Sequence, residues 1–254
     1  MRSYIPNREL ESLMGYDMIF MAPGIFKNNV DGDWKNIEVI KYLNMSNFKV
    51  ASKVISFSNS KLTRQLYQRY GLPDMGCLEI NMLQLQTKEK MIEEERDIDF
   101  LMVVSDVNRK IKNVKLFLKL SELIDAKFCL ISGEKVDKKW KNIIYVEGLK
   151  EWEVDKFYRR SKILINCSYF DSMSNTVLEG IKNGCYILVS ENNGIVDYIN
   201  KENVVEGYSI KDWENVCRER IENWDKLDKK QNLKECLRKS WEVEIRLLEI
   251  LSNR

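Results

Sequence analysis

Residues Ile163 to Ser190 read ILINCSYFDSMSNTVLEGIKNGCYILVS. An apolar run, ILINCS, leads into a polar loop, YFDSMS. A helical stretch, NTVLEGIKNG, and a second apolar run, CYILVS, follow. Short runs without polar alternation suit strands buried on both faces, as in a parallel sheet covered by helices. Ser174 stands where a helix N-cap is expected, and Gly184 where a glycine ends the helix. Strand, helix and strand in this order form one crossover unit, which is right-handed. The helix start then lies at the carboxyl end of a parallel strand, where open α/β sheets bind ligands. Free N–H groups of Asn175, Thr176 and Val177 at that start favour a phosphate. Asp171 in the loop and Glu179, about one turn into the helix, flank the spot.

The same pattern recurs outward along the chain. Apolar runs at Asp17-Ala22, Lys53-Phe57, Phe100-Val104, Lys127-Ser132, Ile143-Val146, Lys162-Cys167 and Cys185-Ser190 alternate with helical stretches. In Lys211-Trp224 the apolar positions Trp213, Cys217, Ile221 and Trp224 follow helical spacing. The expected fold class is therefore α/β, with a Rossmann-like doubly wound parallel sheet. The charged segment Thr87-Asp99, TKEKMIEEERDID, reads as a solvated helix or linker, and a new sheet is expected to begin at Phe100. The expected division is a shortened N-terminal α/β domain over 1–95, a larger domain over 96–231 and a C-terminal helix over 232–254. That helix carries Leu237, Trp241, Ile245 and Leu248 on its packing side.

Composition removes several function classes. Of 254 residues, 41 are Lys or Arg and 39 are Asp or Glu, for a formal charge of +2. So balanced a chain has no overall pull toward nucleic acid, and any anion site must be local. The sequence has no histidine, which excludes Ser-His-Asp and Cys-His mechanisms and histidine-ligated zinc within this chain. The six cysteines are widely spaced and sit in apolar runs, so buried, reduced thiols are expected. No run is long enough to span a membrane, and the first residues lack the apolar centre of a signal peptide. The expected location is the cytoplasm, or the periphery of a membrane. Neither the glycine pattern of a dinucleotide fold nor a P-loop is present. Asp31-Gly32-Asp33 and Asp97-Ile98-Asp99 do not follow a strand, and are expected to be turn and linker acids rather than metal ligands.

An acid pair at the spacing of Asp171 and Glu179 arises about six times by chance in a chain of this composition. Spacing alone also allows a turn aspartate and a helix-surface glutamate. The context is more specific. Asp171 to Asp197, DSMSNTVLEGIKNGCYILVSENNGIVD, resembles the donor-binding signature of retaining glycosyltransferases of the GT-B fold, the group 1 or family 4 class. The matching features are Asp171, Glu179, Gly180, Gly184, the strand Tyr186-Ser190, and Asn193-Gly194-Ile195 ahead of Asp197. Asp171 stands where the family usually has glutamate. Phe100-Leu118 resembles the first strand and loop of the family's donor domain. Ala51-Gly71 resembles the last strand and helix of its N-terminal domain.

The resemblance implies a chemistry. A nucleotide-diphosphate sugar is the donor, and a saccharide or glycolipid is the acceptor of a hexose transferred with retention. Glu179 would hydrogen-bond the ribose hydroxyls, and Asp171 would hold a sugar hydroxyl. Arg109 and Lys112, with Lys110 as a competitor for either place, would hold the diphosphate together with the helix start at Ser174, Asn175 and Thr176. Gly148 and Leu149 would contact the base through their backbone. Fixed N–H groups and two cations stabilise charge on a departing diphosphate, so neither a metal nor another cofactor is expected. The residues before Phe100 are fewer than the family's N-terminal domain holds, so the resemblance leaves three expectations open: a fragment, one half of a two-chain enzyme with a partner chain completing that domain, or a relative that has lost activity. The alternative is a non-catalytic or partner-dependent nucleotide-sugar-binding subunit. Glu179→Ala and Lys112→Ala are each expected to weaken donor binding without unfolding the protein.

Overall fold

The computed structural model describes residues 18–20, 55–69, 76–86, 95–133 and 140–252. Asp31-Gly32-Asp33 and residues 87–94 of the charged segment lie outside them. Strands β1 (Met18–Phe20) and β2 (Ile55–Phe57) pair in parallel. Helix α1 (Lys61–Arg69) follows β2. Ser60 starts it: the Ser60 hydroxyl accepts the Thr63 N–H at 3.1 Å, the bond expected of a serine N-cap. The chain then returns beside β2, where Leu78 N–H donates to Ser58 C=O at 2.8 Å, and enters a 3₁₀ segment, Ile80–Gln86.

The larger sheet comprises β3 (Ile98–Val104), β4 (Phe128–Ser132), β5 (Ile143–Glu147), β6 (Ser161–Asn166), β7 (Tyr186–Ser190) and β8 (Val204–Val205). Helices α2 (Val114–Leu123), α3 (Glu151–Arg160), α4 (Asn175–Lys182), α5 (Ile210–Glu222) and α6 (Gln231–Ser252) complete the chain. The strands are parallel in the order β5-β4-β3-β6-β7-β8. The chain winds outward from β3 to β5, then crosses back to β6 and winds the other way. The reversal falls between β3 and β6, so their carboxyl ends flank a crevice.

Alternation along β3 explains the layers. Leu101 and Val103 pack on one face with Tyr158, Val177, Leu178, Ile181 and Cys236 of α3, α4 and α6. Phe100, Met102 and Val104 pack on the other with Phe117, Leu120, Trp213 and Cys217 of α2 and α5. Phe100 stacks on Phe128 at 4.8 Å between ring centroids, and Phe117 meets Phe128 edge-on at 5.3 Å. All six cysteines are buried and reduced. Burial pushes the thiols of Cys129 and Cys185 up to about 12, so they stay protonated and act as small apolar groups.

Four sequence expectations need correction. Of the apolar row placed on the packing side of the C-terminal helix, only Leu237 packs against the core. Trp241, Ile245 and Leu248 are more than half exposed, and the helix buries Cys236, Ser240 and Val243 on a neighbouring stripe instead. Strand β3 begins at Ile98 rather than Phe100. Of the charges that suggested a linker, Arg96, Asp97 and Asp99 are paired instead. Arg160 grips both Asp97 oxygens, at 2.8 and 2.6 Å, and Lys162 Nζ lies 2.7 Å from Asp99. Half-buried Arg96 donates to the Tyr158, Ser161 and Asn183 carbonyls, which end α3 and α4; a cation suits helix carboxyl ends. Trp224 falls beyond α5, in a short 3₁₀ turn. Strand β8 was not expected, because two valines between polar residues carry no run.

Helix α6 packs on both halves of the chain. Arg246 donates to Cys77 C=O at 2.8 Å, and Lys239 Nζ stands 3.6 Å from Glu79. Glu79 is 3% exposed and also accepts the Tyr198 hydroxyl and the Cys77 thiol. Burial raises its carboxyl, but those two donors and the Lys239 charge outweigh it, and the group titrates below the ordinary 4.5. A carboxyl lowered by folding adds stability above its unfolded value and loses it as pH falls through the folded value. Stability is therefore expected to fall below about pH 4.5, and Glu79→Gln to flatten that acid limb. Urea melts of both proteins across an acid-to-neutral series check this; parallel acid limbs would refute it.

Candidate active site

The crevice at the strand reversal gathers most of the sequence-selected residues. After β3 a turn leads to the 3₁₀ segment Lys110–Lys112. Asn113 then takes a left-handed conformation (φ 51°) and turns the chain into α2, a conformation that asparagine tolerates better than most residues. This places Lys112 opposite the loop after β6. Its Nζ lies 2.7 Å from Asp171 Oδ2, with side-chain exposures of 20% and 11%. Lys112 therefore neutralises the nearby acid. Arg109 precedes it, half-buried, and its guanidinium has no hydrogen-bond or ion-pair partner among the described residues. Lys110 is exposed.

Asp171 is held by backbone as well. Its N–H donates to Asn192 C=O at 3.0 Å, and its C=O accepts the Gly194 N–H at 2.8 Å. The Asn193-Gly194 loop therefore runs beside the acid, joined by a parallel bridge between Asp171 and Asn193. Gly194 is required there by close approach. A Cβ on it would lie 1.8 Å from Ser172 O and 2.7 Å from Ser60 Cβ.

Helix α4 starts as expected and ends at Gly184, whose φ of 76° is left-handed. Its cap differs from the expectation. Ser174 occupies the N-cap position, but its hydroxyl makes no capping bond. That oxygen instead accepts Asn166 Nδ2 at 2.8 Å and meets Thr176 Oγ1 at 3.0 Å. The backbone N–H groups of Asn175, Thr176 and Val177 carry no hydrogen bond among the described residues. Lacking a cap, they form a concentrated donor site at the positive end of the helix. Glu179 sits on the second turn of α4, where its Oε2 accepts the Tyr158 hydroxyl at 2.8 Å. Burial, with the Glu179 charge and hydrogen bond, holds that hydroxyl well above its ordinary range. Tyr158 therefore remains a donor to the carboxylate.

Gly148 has a φ of 67° with open space where a Cβ would stand, and Leu149 beside it packs into the core. The turn follows β5, on the carboxyl edge of the same sheet. The N-terminal segment reaches the crevice too, which the sequence did not reveal. Asn59 Nδ2 donates to Ser172 Oγ at 3.4 Å, and Asn81 Nδ2 to Asn175 Oδ1 at 2.7 Å. Asn166 was also missed. The only available signal was a polar residue ending an apolar strand. Among the described residues no group of three or more acids and cysteines is placed to hold a metal ion. No described helix is long and apolar enough to cross a membrane.

Residues 86–239 match the family model described as glycosyl transferases group 1. No curated protein matches the chain. Among solved structures, TarM aligns with a TM-score of 0.70 at 12% identity, over 96% of this chain and 52% of its own. HepE of Anabaena in complex with UDP-glucose aligns at 0.71 and 9% identity, over 97% and 81%. Sucrose-phosphate synthase from Thermosynechococcus elongatus aligns at 0.67 and 12% identity, over 98% and 80%. The chain thus spans about half the length of TarM, and these likenesses establish a common fold.

Proposed function

The chain belongs to the group 1 glycosyl transferases, and from that premise we propose that it transfers a hexose from a nucleotide-diphosphate sugar to a saccharide or glycolipid acceptor with retention of configuration. The observation that carries this reading is the open start of α4 beside the Lys112–Asp171 pair, at the reversal of strand order. The N–H groups of α4, with Lys112 and Arg109, receive the diphosphate. Asp171 accepts a hydrogen bond from a sugar hydroxyl. Glu179, steadied by Tyr158, accepts from the ribose hydroxyls, and the Gly148-Leu149 backbone meets the base.

As the glycosidic bond breaks, negative charge grows on the departing diphosphate. Donors fixed before the reaction stabilise that charge without reorganising. The Lys112 ammonium has three N–H groups, so it can keep Asp171 and still turn a donor to phosphate. In this reading the cations and the helix start do the work that a metal would otherwise do, so a chelator leaves the rate unchanged.

The test is to incubate the protein with UDP-, GDP- and ADP-glucose and a panel of saccharide acceptors, following nucleoside diphosphate release and the product's anomeric configuration by NMR. Transfer with retention supports the reading, and transfer with inversion contradicts it. Saturable donor binding without transfer to any acceptor favours a binding subunit that works with a partner chain.

A further inference from the structure

Asn166 ends β6 and is 6% exposed. Its Oδ1 accepts the Ser168 backbone N–H at 3.2 Å. A backbone N–H can only donate, so this bond fixes which end of the amide is oxygen. Both Nδ2 hydrogens then point to the crevice. One bond goes to Ser174 Oγ at 2.8 Å and the other to Asp171 Oδ2 at 3.4 Å. Serine at a helix N-cap ordinarily accepts an N–H from the second or third helical residue. Here Ser174 makes no such bond. Its hydroxyl is occupied by Asn166 on one side and Thr176 Oγ1 on the other.

We propose that Asn166 is a positioning residue that keeps the start of α4 uncapped for the donor diphosphate, by holding the Ser174 hydroxyl away from the helix while it steadies Asp171. The proposal rests on the donor-site reading above. An apolar side chain at this position releases the Ser174 hydroxyl. The hydroxyl then turns onto the N–H of Thr176 or Val177 and competes with any phosphate for that donor.

The test uses the full chain and the variants Asn166→Leu, Ser174→Ala and Asn166→Leu/Ser174→Ala. UDP, GDP and ADP are the calorimetric probes, and amide hydrogen exchange at Thr176 and Val177 is followed by NMR. Asn166→Leu is expected to slow exchange of at least one of the two amides by about tenfold and to weaken nucleotide binding about tenfold. The double variant is expected to restore fast exchange and most of the binding. Ser174→Ala alone is the reference against which the double variant is read. Rescue by a second truncation is not the behaviour of two merely structural residues. Unchanged exchange in Asn166→Leu overturns the proposal even where no nucleotide binds. Wild-type protein that binds none of the three overturns the donor reading instead. Nucleotide binding by the wild type with no loss in Asn166→Leu, or a loss the double variant fails to recover, also overturns it.

Discussion

Replacing Lys112 by methionine is expected to cost about 3 kcal/mol of stability, because it leaves a largely buried carboxylate unpaired, and to weaken donor binding about 100-fold. Both effects follow from one geometry. Lys112 and Asp171 are 2.7 Å apart, and little of either side chain reaches solvent. Removing one member of such a pair exposes the other to a poorly hydrated site without its counter-charge. The sequence expectation is weaker donor binding without unfolding; the largely buried ion pair adds a stability cost to it. The two effects separate in a double variant. Lys112→Met/Asp171→Asn removes the orphaned charge, so most of the stability should return, while the diphosphate still lacks its cation. Chemical melts and nucleotide titrations on both proteins make the comparison. A single variant as stable as wild type would show that the pair does not matter to the fold.

Gly194→Ala is expected to be the most disruptive one-methyl change near the crevice, costing about 3 kcal/mol. The added Cβ would lie 1.8 Å from the Ser172 carbonyl oxygen and 2.7 Å from Ser60 Cβ. Neither neighbour is the far end of a flexible side chain, so backbone has to move. The Gly194 N–H also donates to Asp171 C=O, so the movement reaches the acid. The change therefore loosens the crevice as it destabilises the chain. Thermal unfolding and UDP-glucose titration of the variant measure both, and wild-type values in both would refute the packing argument.

Much of the larger sheet was legible because β3, β4, β6 and β7 are apolar on both faces, which distinguishes buried parallel strands from other short runs. The opening of β3 was not, because Asp97 and Asp99 look solvated until Arg160 and Lys162 are brought across from residues far along the chain. The start of α4 could be found from its cap and its closing glycine, whereas Asp171 and Glu179 stood out only through the family resemblance, because their spacing alone arises by chance. The hydroxyl of Ser174 could not, since the residue type says "cap" and only Asn166 in three dimensions says otherwise. Asn59 meets Ser172 across 113 residues. No local pattern encodes such a contact, because it arises from docking of the N-terminal segment on the crevice.

The most direct measurement is calorimetric titration of the chain with UDP-, GDP- and ADP-glucose, beside Glu179→Ala. Glu179 is half-buried on α4, where it accepts the hydroxyl of buried Tyr158; its truncation removes that acceptor while Val177, Leu178 and Ile181 stay in the core. The account expects saturable binding to one nucleotide class by the wild type, reduced at least tenfold in the variant, about 1.4 kcal/mol. Equal affinity in the two proteins, or no binding of any nucleotide sugar by the wild type, would contradict it.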